Sequence, residues 1–231
     1  MQVTAPDVPS RTRRRGLVAV LVGLAVLVAL GAGVLADLDP QVRLDAAVGS
    51  ALYAGDGRPA ALDALLETAS APGTAWFRAL VLLPVAVWLA RRRRWRALAW
   101  VAVAALLVSP LTTALKELVG RARPAFEDGG LEHGGLSYPS GHSSGIATLV
   151  TVGLVLAWPR LRARGRRAAV AGGVALVVLV GLTRVWLGVH FPSDVVGGWS
   201  LGVAWSLGVA LLLGGLPGGP GALPAREEEV R

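Results

Sequence analysis

The chain has 231 residues, of which 54% are hydrophobic and 16% charged, with a mean hydropathy of +0.58 and a net charge of +8. Because the apolar residues fall in long blocks, this composition excludes an ordinary soluble domain and indicates a membrane protein. The absence of cysteine excludes disulfides, zinc-thiolate sites and cysteine nucleophiles, and arginine runs without interleaved stacking aromatics argue against a nucleic-acid partner.

Six apolar segments approach the length of about 20 residues that a helix needs to cross a bilayer. In chain order they cover residues 16–36, 74–90, 97–115, 143–158, 168–182 and 194–215. We therefore predict an all-α fold, a bundle of six transmembrane helices within residues 16–215. A basic tail, residues 1–15, would precede this domain, and a Gly- and Pro-rich tail, residues 216–231, would follow it as a disordered segment.

The arginine distribution predicts the orientation of the bundle, since arginine-rich short loops stay on the cytoplasmic side. Most basic residues lie in the first 15 residues, in residues 91–96 and in residues 160–167, whereas most acids lie on the opposite side. We predict that both termini are cytoplasmic, in a plasma-membrane protein. The first segment could instead be a signal peptide, but it is longer than the usual apolar core of about 7–15 residues.

The predicted outer loop, residues 37–73, is long and contains Leu62, Leu65, Leu66 and Ala69 at helical spacing. This pattern predicts a short helix on the membrane surface or packed over the bundle. We interpret the loop as a structural lid without chemistry of its own.

The first polar cluster follows the third segment in "KELVGRARP", where Lys116 and Arg123 are seven residues apart. Seven residues are nearly two helical turns, so both cations can share one face and converge on one anion. The alternative is a pair of cations that reach from the helix end to the interface. This cluster alone favours neither interpretation.

The second cluster, Pro139-Ser140-Gly141-His142, precedes the fourth segment. Pro139 and Ser140 are typical of a helix start, and Gly141 allows close approach of a ligand to the backbone. The free N-H groups and positive dipole end of such a helix suit phosphate. His142 could donate a proton to a leaving oxygen, although a histidine at a helix start is more often a structural interfacial residue.

The third cluster is "TRVWLGVHFPSD", which contains Arg184, His190 and Asp194. The planar guanidinium of an arginine matches phosphate oxygens. A carboxylate four residues after a histidine can fix the imidazole tautomer and stabilise positive charge on the reacting ring. A lone pair of this kind can be structural, but three polar clusters on one side of a membrane domain indicate a site.

With these motifs the sequence resembles the type 2 phosphatidic acid phosphatases, membrane relatives of glucose-6-phosphatase and of the vanadium haloperoxidases. The family pattern is Lys, six residues and Arg-Pro; then Pro-Ser-Gly-His; then Ser-Arg, five residues, His, three residues and Asp. Here the matching positions are Lys116, Arg123-Pro124, the tetrapeptide 139–142, Arg184, His190 and Asp194. The single departure is Thr183 in place of serine, which keeps a hydroxyl.

The resemblance implies a phosphatase mechanism without a metal or other cofactor. His190 would attack phosphorus to form a phosphohistidine, with Asp194 orienting the ring, and His142 would protonate the leaving oxygen and then activate water. The phosphate oxygens would be held by five residues: Lys116, Arg123, Ser140, Gly141 and Arg184.

The expected substrate is a lipid phosphate at the outer face: undecaprenyl diphosphate, phosphatidic acid or phosphatidylglycerol phosphate. Two alternatives remain open, a lipid phosphotransferase with the same site and, from another class, a transporter, since charged groups near membrane helices can mark an ion path. The third histidine, His133, matches no family position and is interpreted as a loop residue. The sequence does not predict an oligomeric state.

Overall fold

The computed structural model describes residues 8–55, 57–125 and 135–225, and within these ranges the chain is helical with no β-strand. The α-helices are α1 (Ser10–Leu35), α2 (Asp39–Leu52), α3 (Ala60–Ser70), α4 (Ala75–Arg91), α5 (Trp95–Val119), α6 (Gly141–Ala157), α7 (Ala163–Trp186) and α8 (Pro192–Leu212). Single 3-10 turns follow α3 and α6. The predicted all-α fold is confirmed for this part of the chain.

Five of the described helices, α1, α5, α6, α7 and α8, are long and apolar enough to cross a membrane. The second predicted segment corresponds to α4, which has 17 residues. It meets the same measure only together with α3 and the turn between them, from which it is bent by 44°. The described part of the chain therefore has five or six candidate spans, as a multi-pass membrane protein does.

Several helices continue beyond the predicted apolar segments. The first helix begins at Ser10 rather than at residue 16, so the arginines of the predicted basic tail lie in its first turns. The fifth segment, predicted over residues 168–182, becomes the longer helix α7. Hydropathy marks only the part that suits hydrocarbon, whereas the backbone hydrogen-bond ladder continues through polar residues.

The starts of α6 and α8 are fixed by side chains that accept hydrogen bonds from free backbone N-H groups. Ser140 Oγ accepts from the N-H of Ser143 at 3.4 Å and caps α6. The carboxylate of Asp194, in the first turn of α8, accepts from the N-H of Phe191 at 2.8 Å. Two residues singled out for the site thus also define where two helices begin.

Helix α8 packs against α1 and α6. A Cβ added at Gly202 would lie 2.5 Å from the carbonyl oxygen of Ser144 and 2.7 Å from Cβ of Ala147, and one at Gly198 would lie 2.5 Å from the carbonyl oxygen of Ser140. Such small residues let two helix backbones approach closely in a membrane protein. The contact brings the N-terminal ends of α6 and α8 together.

The outer segment, residues 37–73, contains two helices, α2 and α3. Leu66 of α3 is buried and packs with Leu187 and Val189, which follow α7. The backbone N-H of Ala54, just after α2, donates to the carbonyl of Trp186 at 3.0 Å. Both helices therefore lie over the end of the bundle where α7 ends and α8 begins.

Residues 216–225 form turns that pack on the bundle, so the disorder predicted for residues 216–231 does not hold for this stretch. Leu216 and Leu223 are 3% and 8% exposed and join the core around Trp100. The indole N-H of Trp100 donates to the carbonyl of Gly221 at 3.3 Å. Glycine provides a left-handed turn residue here, with a φ of 88° at Gly218. Residues 226–231 lie outside the described ranges.

Candidate active site

The residues predicted to form the site lie at one end of the bundle, where α5 and α7 end and α6 and α8 begin. Lys116 and Arg184 stand in the last turns of α5 and α7. The others stand in the first turns of α6 and α8 or in the connections before them: Arg123, Ser140, Gly141, His142, His190 and Asp194. The helix ends therefore bring the three sequence clusters together.

His190 and Asp194 form a buried pair, with 3% and 0% of their surfaces exposed. Nδ1 of His190 lies 3.5 Å from Oδ2 of Asp194. Oδ2 also accepts the Phe191 N-H, so the carboxylate that helps to start α8 faces the imidazole. The spacing of four residues therefore places the carboxylate beside the imidazole.

Ser137 indicates which imidazole nitrogen of His190 carries the proton. Its Oγ donates to Oδ2 of Asp194 and lies 3.3 Å from Nδ1 of His190. A hydroxyl has one proton, so toward the imidazole this oxygen can only accept. The hydrogen-bond network thus assigns the proton to Nδ1 and leaves the lone pair on Nε2. In this tautomer His190 can act as a nucleophile through Nε2.

The surroundings of His190 favour the neutral ring. Burial lowers the pKa of His190 to about 4, and the charges of Arg123 and Lys116 act in the same direction. The hydrogen bond and charge of Asp194 act in the opposite direction without reversing the result. At neutral pH the imidazole is therefore uncharged and keeps its lone pair.

Two cations are fixed next to the motifs by backbone carbonyls. Lys116 Nζ donates to the carbonyl of Leu136, and Arg123 Nη1 donates to the carbonyl of Val189 at 2.8 Å. Burial lowers the pKa of Arg123, and the nearby charge of Arg184 lowers it further. Cations held together in a partly desolvated place attract an anion strongly.

Arg184 is 3% exposed and is held by α3. Its Nη1 donates to Ser70 Oγ at 2.8 Å and to Glu67 Oε2 at 3.2 Å. Its Nε is buried and has no hydrogen-bond acceptor among the described residues. A buried donor without a partner is costly, so this group is available to a phosphate oxygen. The Thr183 hydroxyl donates to the carbonyl of Val180 at 2.7 Å, within α7.

The Pro139-Ser140-Gly141-His142 motif forms the start of α6. The N-H of Ser140 donates to the carbonyl of Asp194 at 2.9 Å, which ties the motif to α8. His142 stands in the first turn, where the charges of Lys116, Arg123 and Arg184 all act on its ring. The backbone of Gly73 lies against it, since an added Cβ there would be 2.6 Å from the carbonyl oxygen of His142. His142 therefore shares one site with the phosphate-binding candidates.

The structure adds residues that sequence reasoning did not assign to the site. Ser137 stands in the stretch "SYPSGHSSG" but outside the recognised tetrapeptide. Arg121 is one of the basic residues on the predicted outer side of the membrane, where the charge rule disfavours them. This departure from the rule could have marked it in the sequence. Asp45, Glu67 and Ser70 come from the outer segment, where no motif marked them. The outer segment therefore contributes polar contacts to the site as well as covering it, and His133 lies outside the described residues.

Comparisons with known proteins point to one family. The family model of the PAP2 superfamily matches residues 95–215, slightly more than half of the chain. This region includes all eight of the candidate site residues, whereas the outer segment lies before it.

Two curated relatives match over shorter stretches. Phosphatidylglycerophosphatase B of Bacillus subtilis is 43% identical over 97 residues, covering 40% of this chain and 46% of the relative. Undecaprenyl-diphosphatase of Sulfolobus acidocaldarius is 39% identical over 70 residues, covering 29% of this chain and 28% of the relative. The chain thus spans less than half the length of each of these two relatives.

A solved structure is similar over most of both chains. It is a transmembrane PAP2-type phosphatidylglycerolphosphate phosphatase from Bacillus subtilis, with a TM-score of 0.65 and 27% sequence identity. The match covers 82% of this chain and 93% of the solved one.

Proposed function

Because this chain belongs to the PAP2 superfamily, we propose that it is an integral-membrane phosphatase that hydrolyses a lipid phosphomonoester or diphosphate. The observation that carries the proposal is the neutral, Nδ1-protonated His190 beside the three cations Lys116, Arg123 and Arg184. Phosphoryl transfer through a covalent intermediate requires a nucleophile and positive charge that stabilises the phosphate oxygens.

In the first step Nε2 of His190 attacks phosphorus, so that a P-N bond forms as the bond to the leaving oxygen breaks. The negative charge of the bound phosphate favours the protonated His142 ring. This ring donates one proton to that oxygen and becomes neutral, and the oxygen leaves as an alcohol or as a lipid phosphate. Asp194 stabilises the positive charge that develops on the His190 ring. Donors from Lys116 and Arg184 stabilise the equatorial oxygens of five-coordinate phosphorus.

In the second step His142 accepts a proton from water, and the water oxygen attacks phosphorus. The P-N bond breaks, inorganic phosphate leaves, and His190 recovers its lone pair. The backbone N-H groups at the start of α6 and the Ser140 side chain support phosphate binding in both steps, because a helix N-terminus carries free donors and a positive dipole end.

The names of the relatives support the proposed lipid substrates, and the distribution of arginines supports the proposed location. The two relatives are named for phosphatidylglycerophosphate and undecaprenyl diphosphate, which, with phosphatidic acid, are the proposed substrates. The arginine-rich connections, residues 91–96 and 160–167, lie at the end of the bundle opposite the site. The charge rule then supports an extracytoplasmic active site in the plasma membrane.

Phosphate release tests the proposal. Full-length protein in mixed micelles with EDTA should release inorganic phosphate from at least one of these lipids, and His190→Ala should abolish the release. A chemically quenched reaction with a ³²P-labelled lipid should leave an acid-labile phosphoenzyme in His142→Ala but not in His190→Ala. Undiminished turnover by His190→Ala would remove the proposed nucleophile.

A further inference from the structure

A second buried carboxylate, Asp45 of α2, reaches the active-site end of α8. Asp45 is 3% exposed, and its Oδ1 accepts the backbone N-H of Ser193 at 2.9 Å. Its Oδ2 accepts the Ser193 hydroxyl at 2.5 Å and Arg121 Nη2 at 2.6 Å. Asp45 thus satisfies a free N-H in the first turn of α8, where Asp194 also stands.

Arg121 connects the two carboxylates. Its Nη1 donates to Oδ1 of Asp194 at 2.7 Å, while its Nη2 donates to Asp45. Its guanidinium carbon lies 4.0 Å from the centre of the Phe191 ring, so the group is held by an aromatic face as well. The side chain of Arg121 is 11% exposed and that of Asp45 is 4% exposed, which makes this an ion pair largely protected from solvent.

The geometry fixes the rotation of the Asp194 carboxylate. Oδ1 is held by Arg121, and Oδ2 is held by Ser137 and the Phe191 N-H. If Oδ1 lost its donor, the carboxylate could turn about its Cβ-Cγ bond and move Oδ2 away from Nδ1 of His190. Because Nη2 is anchored on Asp45, the planar guanidinium holds Nη1 in place against this turn.

Asp45 also affects the electrostatic interaction between Arg121 and Asp194. A buried guanidinium paired with Asp194 alone would place its full charge on the carboxylate that must stabilise a positive imidazole ring. Since Asp45 shares the guanidinium, Asp194 retains more of its negative field toward His190. Removing Asp45 would both release Arg121 and leave a buried cation with one partner fewer.

We propose that Asp45 and Arg121 are positioning residues that hold Asp194 in the orientation in which it faces Nδ1 of His190. The effect on turnover rests on the proposed function, whereas the effect on the histidine ring does not. Asp45 lies outside the recognised motifs and outside the region matched by the family model, and Arg121 is one of the six unspecified residues between Lys116 and Arg123. Helix α2 therefore supplies part of the support for the nucleophile.

The test compares Asp45→Asn and Arg121→Gln with Asp39→Asn and Arg43→Gln in the full chain. Asp39 and Arg43 form an exposed pair on the same helix as Asp45, so the two control variants remove the same charges away from the site. Histidine ¹⁵N NMR in detergent micelles reports the tautomer of His190, which is assigned by the loss of its signals in His190→Ala.

Wild type and the controls should show His190 protonated at Nδ1, and the two site variants should show a mixture of tautomers. With the lipid that wild type hydrolyses, kcat should fall about tenfold or more while KM changes less than twofold, because the phosphate-binding cations remain. Should either site variant not fold, Arg121→Lys replaces it, since it keeps the charge but cannot bridge two carboxylates with two nitrogens.

Folded site variants that keep the Nδ1-protonated ring would overturn the positioning role, whatever their activity. Failure of wild type to release phosphate would instead overturn the proposed function and leave the tautomer comparison intact. A larger effect on KM than on kcat would assign Asp45 and Arg121 to phosphate binding and so contradict the proposal.

Discussion

The His190 ring is both neutral and held in one tautomer, and a histidine exposed to solvent would have neither property. In water an imidazole is protonated over much of the acidic range, and its two neutral tautomers interconvert. Here burial keeps the ring neutral, and the contacts of Ser137 and Asp194 select the tautomer. Arg121, the Ser137 hydroxyl and the Phe191 N-H all donate to Asp194. The proposed nucleophile and its counter-charge are therefore in place before a substrate binds.

This environment predicts that the His190 ring is protonated only at lower pH than an ordinary histidine. Since burial lowers the pKa of His190 from the ordinary histidine value of 6.5 to about 4, its lone pair remains available at pH 5, where a solvent-exposed histidine would be mostly protonated. Histidine ¹⁵N NMR from pH 3.5 to 8 should place the His190 midpoint near 4. The same shift makes the folded state lose stability as pH falls from about 6.5 to about 4, because only the unfolded chain takes up this proton there.

Arg43→Gln is the control variant for the NMR titration, because it should leave the His190 midpoint unchanged. Replacing Arg123 by Gln should raise it, since the positive charge of Arg123 disfavours the protonated ring. A His190 midpoint near 6.5 in wild type would contradict the buried, neutral state of the His190 ring.

Glu67 predicts a change in phosphate affinity. Its Oε2 lies 3.2 Å from Arg184 Nη1, and its side chain is 45% exposed. A phosphate must share that guanidinium with the carboxylate and is repelled by its charge. Glu67→Gln should therefore tighten inhibition by inorganic phosphate by about two- to fivefold, since a half-exposed ion pair contributes about 0.5–1 kcal/mol.

Glu117→Gln is the matched control for this experiment, because Glu117 is exposed at the same end of the bundle on α5. The inhibition constant for phosphate, measured with each variant at a fixed lipid concentration, gives the comparison. Unchanged or weaker inhibition in Glu67→Gln would show that its carboxylate supports Arg184 rather than competing with the anion.

Among the helices, the contact between α6 and α8 sets the geometry of the site, because both helices begin at the site. Two glycines on α8 permit that contact, and their side-chain-free surface is occupied by the backbone of α6. Sequence periodicity could predict both helices from their apolar length. It could not predict which glycines face a neighbour, since several others in the chain meet open space.

Alanine at Gly202 should weaken this contact. The added Cβ would lie 2.5 Å from the carbonyl oxygen of Ser144, which belongs to a helix backbone and cannot move alone. We expect a loss of about 1–3 kcal/mol of stability, the usual cost of overpacking, and lower phosphate release because the start of α6 moves. Thermal unfolding in detergent, followed by tryptophan fluorescence, measures the first effect.

Gly208→Ala on the same helix provides the control. A Cβ there meets no heavy atom within 4 Å, so alanine should be neutral or stabilise the helix by about 0.5–1 kcal/mol. Equal unfolding temperatures for Gly202→Ala and Gly208→Ala would mean that α6 and α8 are not in close contact.

Over the chain as a whole, sequence patterns marked the candidate site residues but not the residues that contact them from distant segments. The spacings within "KELVGRARP" and "TRVWLGVHFPSD" are local, so they could be matched to helix ends and to a family pattern. Asp45 lies far from Ser193 in sequence, and only the folded chain brings them together. For the same reason the turns of residues 216–225 looked disordered by composition, although Trp100 and the core provide partners for them.

The orientation of the bundle in the membrane remains a prediction, and the absence of native cysteine makes it simple to test. Single-cysteine variants Ala61→Cys, on α3, and Arg92→Cys, between α4 and α5, place one exposed thiol at each end. In intact cells a membrane-impermeant maleimide should label Ala61→Cys, and Arg92→Cys should react only after permeabilisation. The opposite pattern would place the active site in the cytoplasm.

The carboxylates of the outer segment limit how this segment can be exchanged between related proteins. Residues 37–73 look like a replaceable cover, and transplanting such a cover is an obvious way to change lipid selectivity. Yet Asp45 and Glu67 contact Arg121 and Arg184, so a transplanted segment without them would alter the catalytic end of the bundle itself. Ser70 of the same segment also contacts Arg184, so a chimera that keeps Asp45, Glu67 and Ser70 at their positions is the one expected to report on selectivity alone.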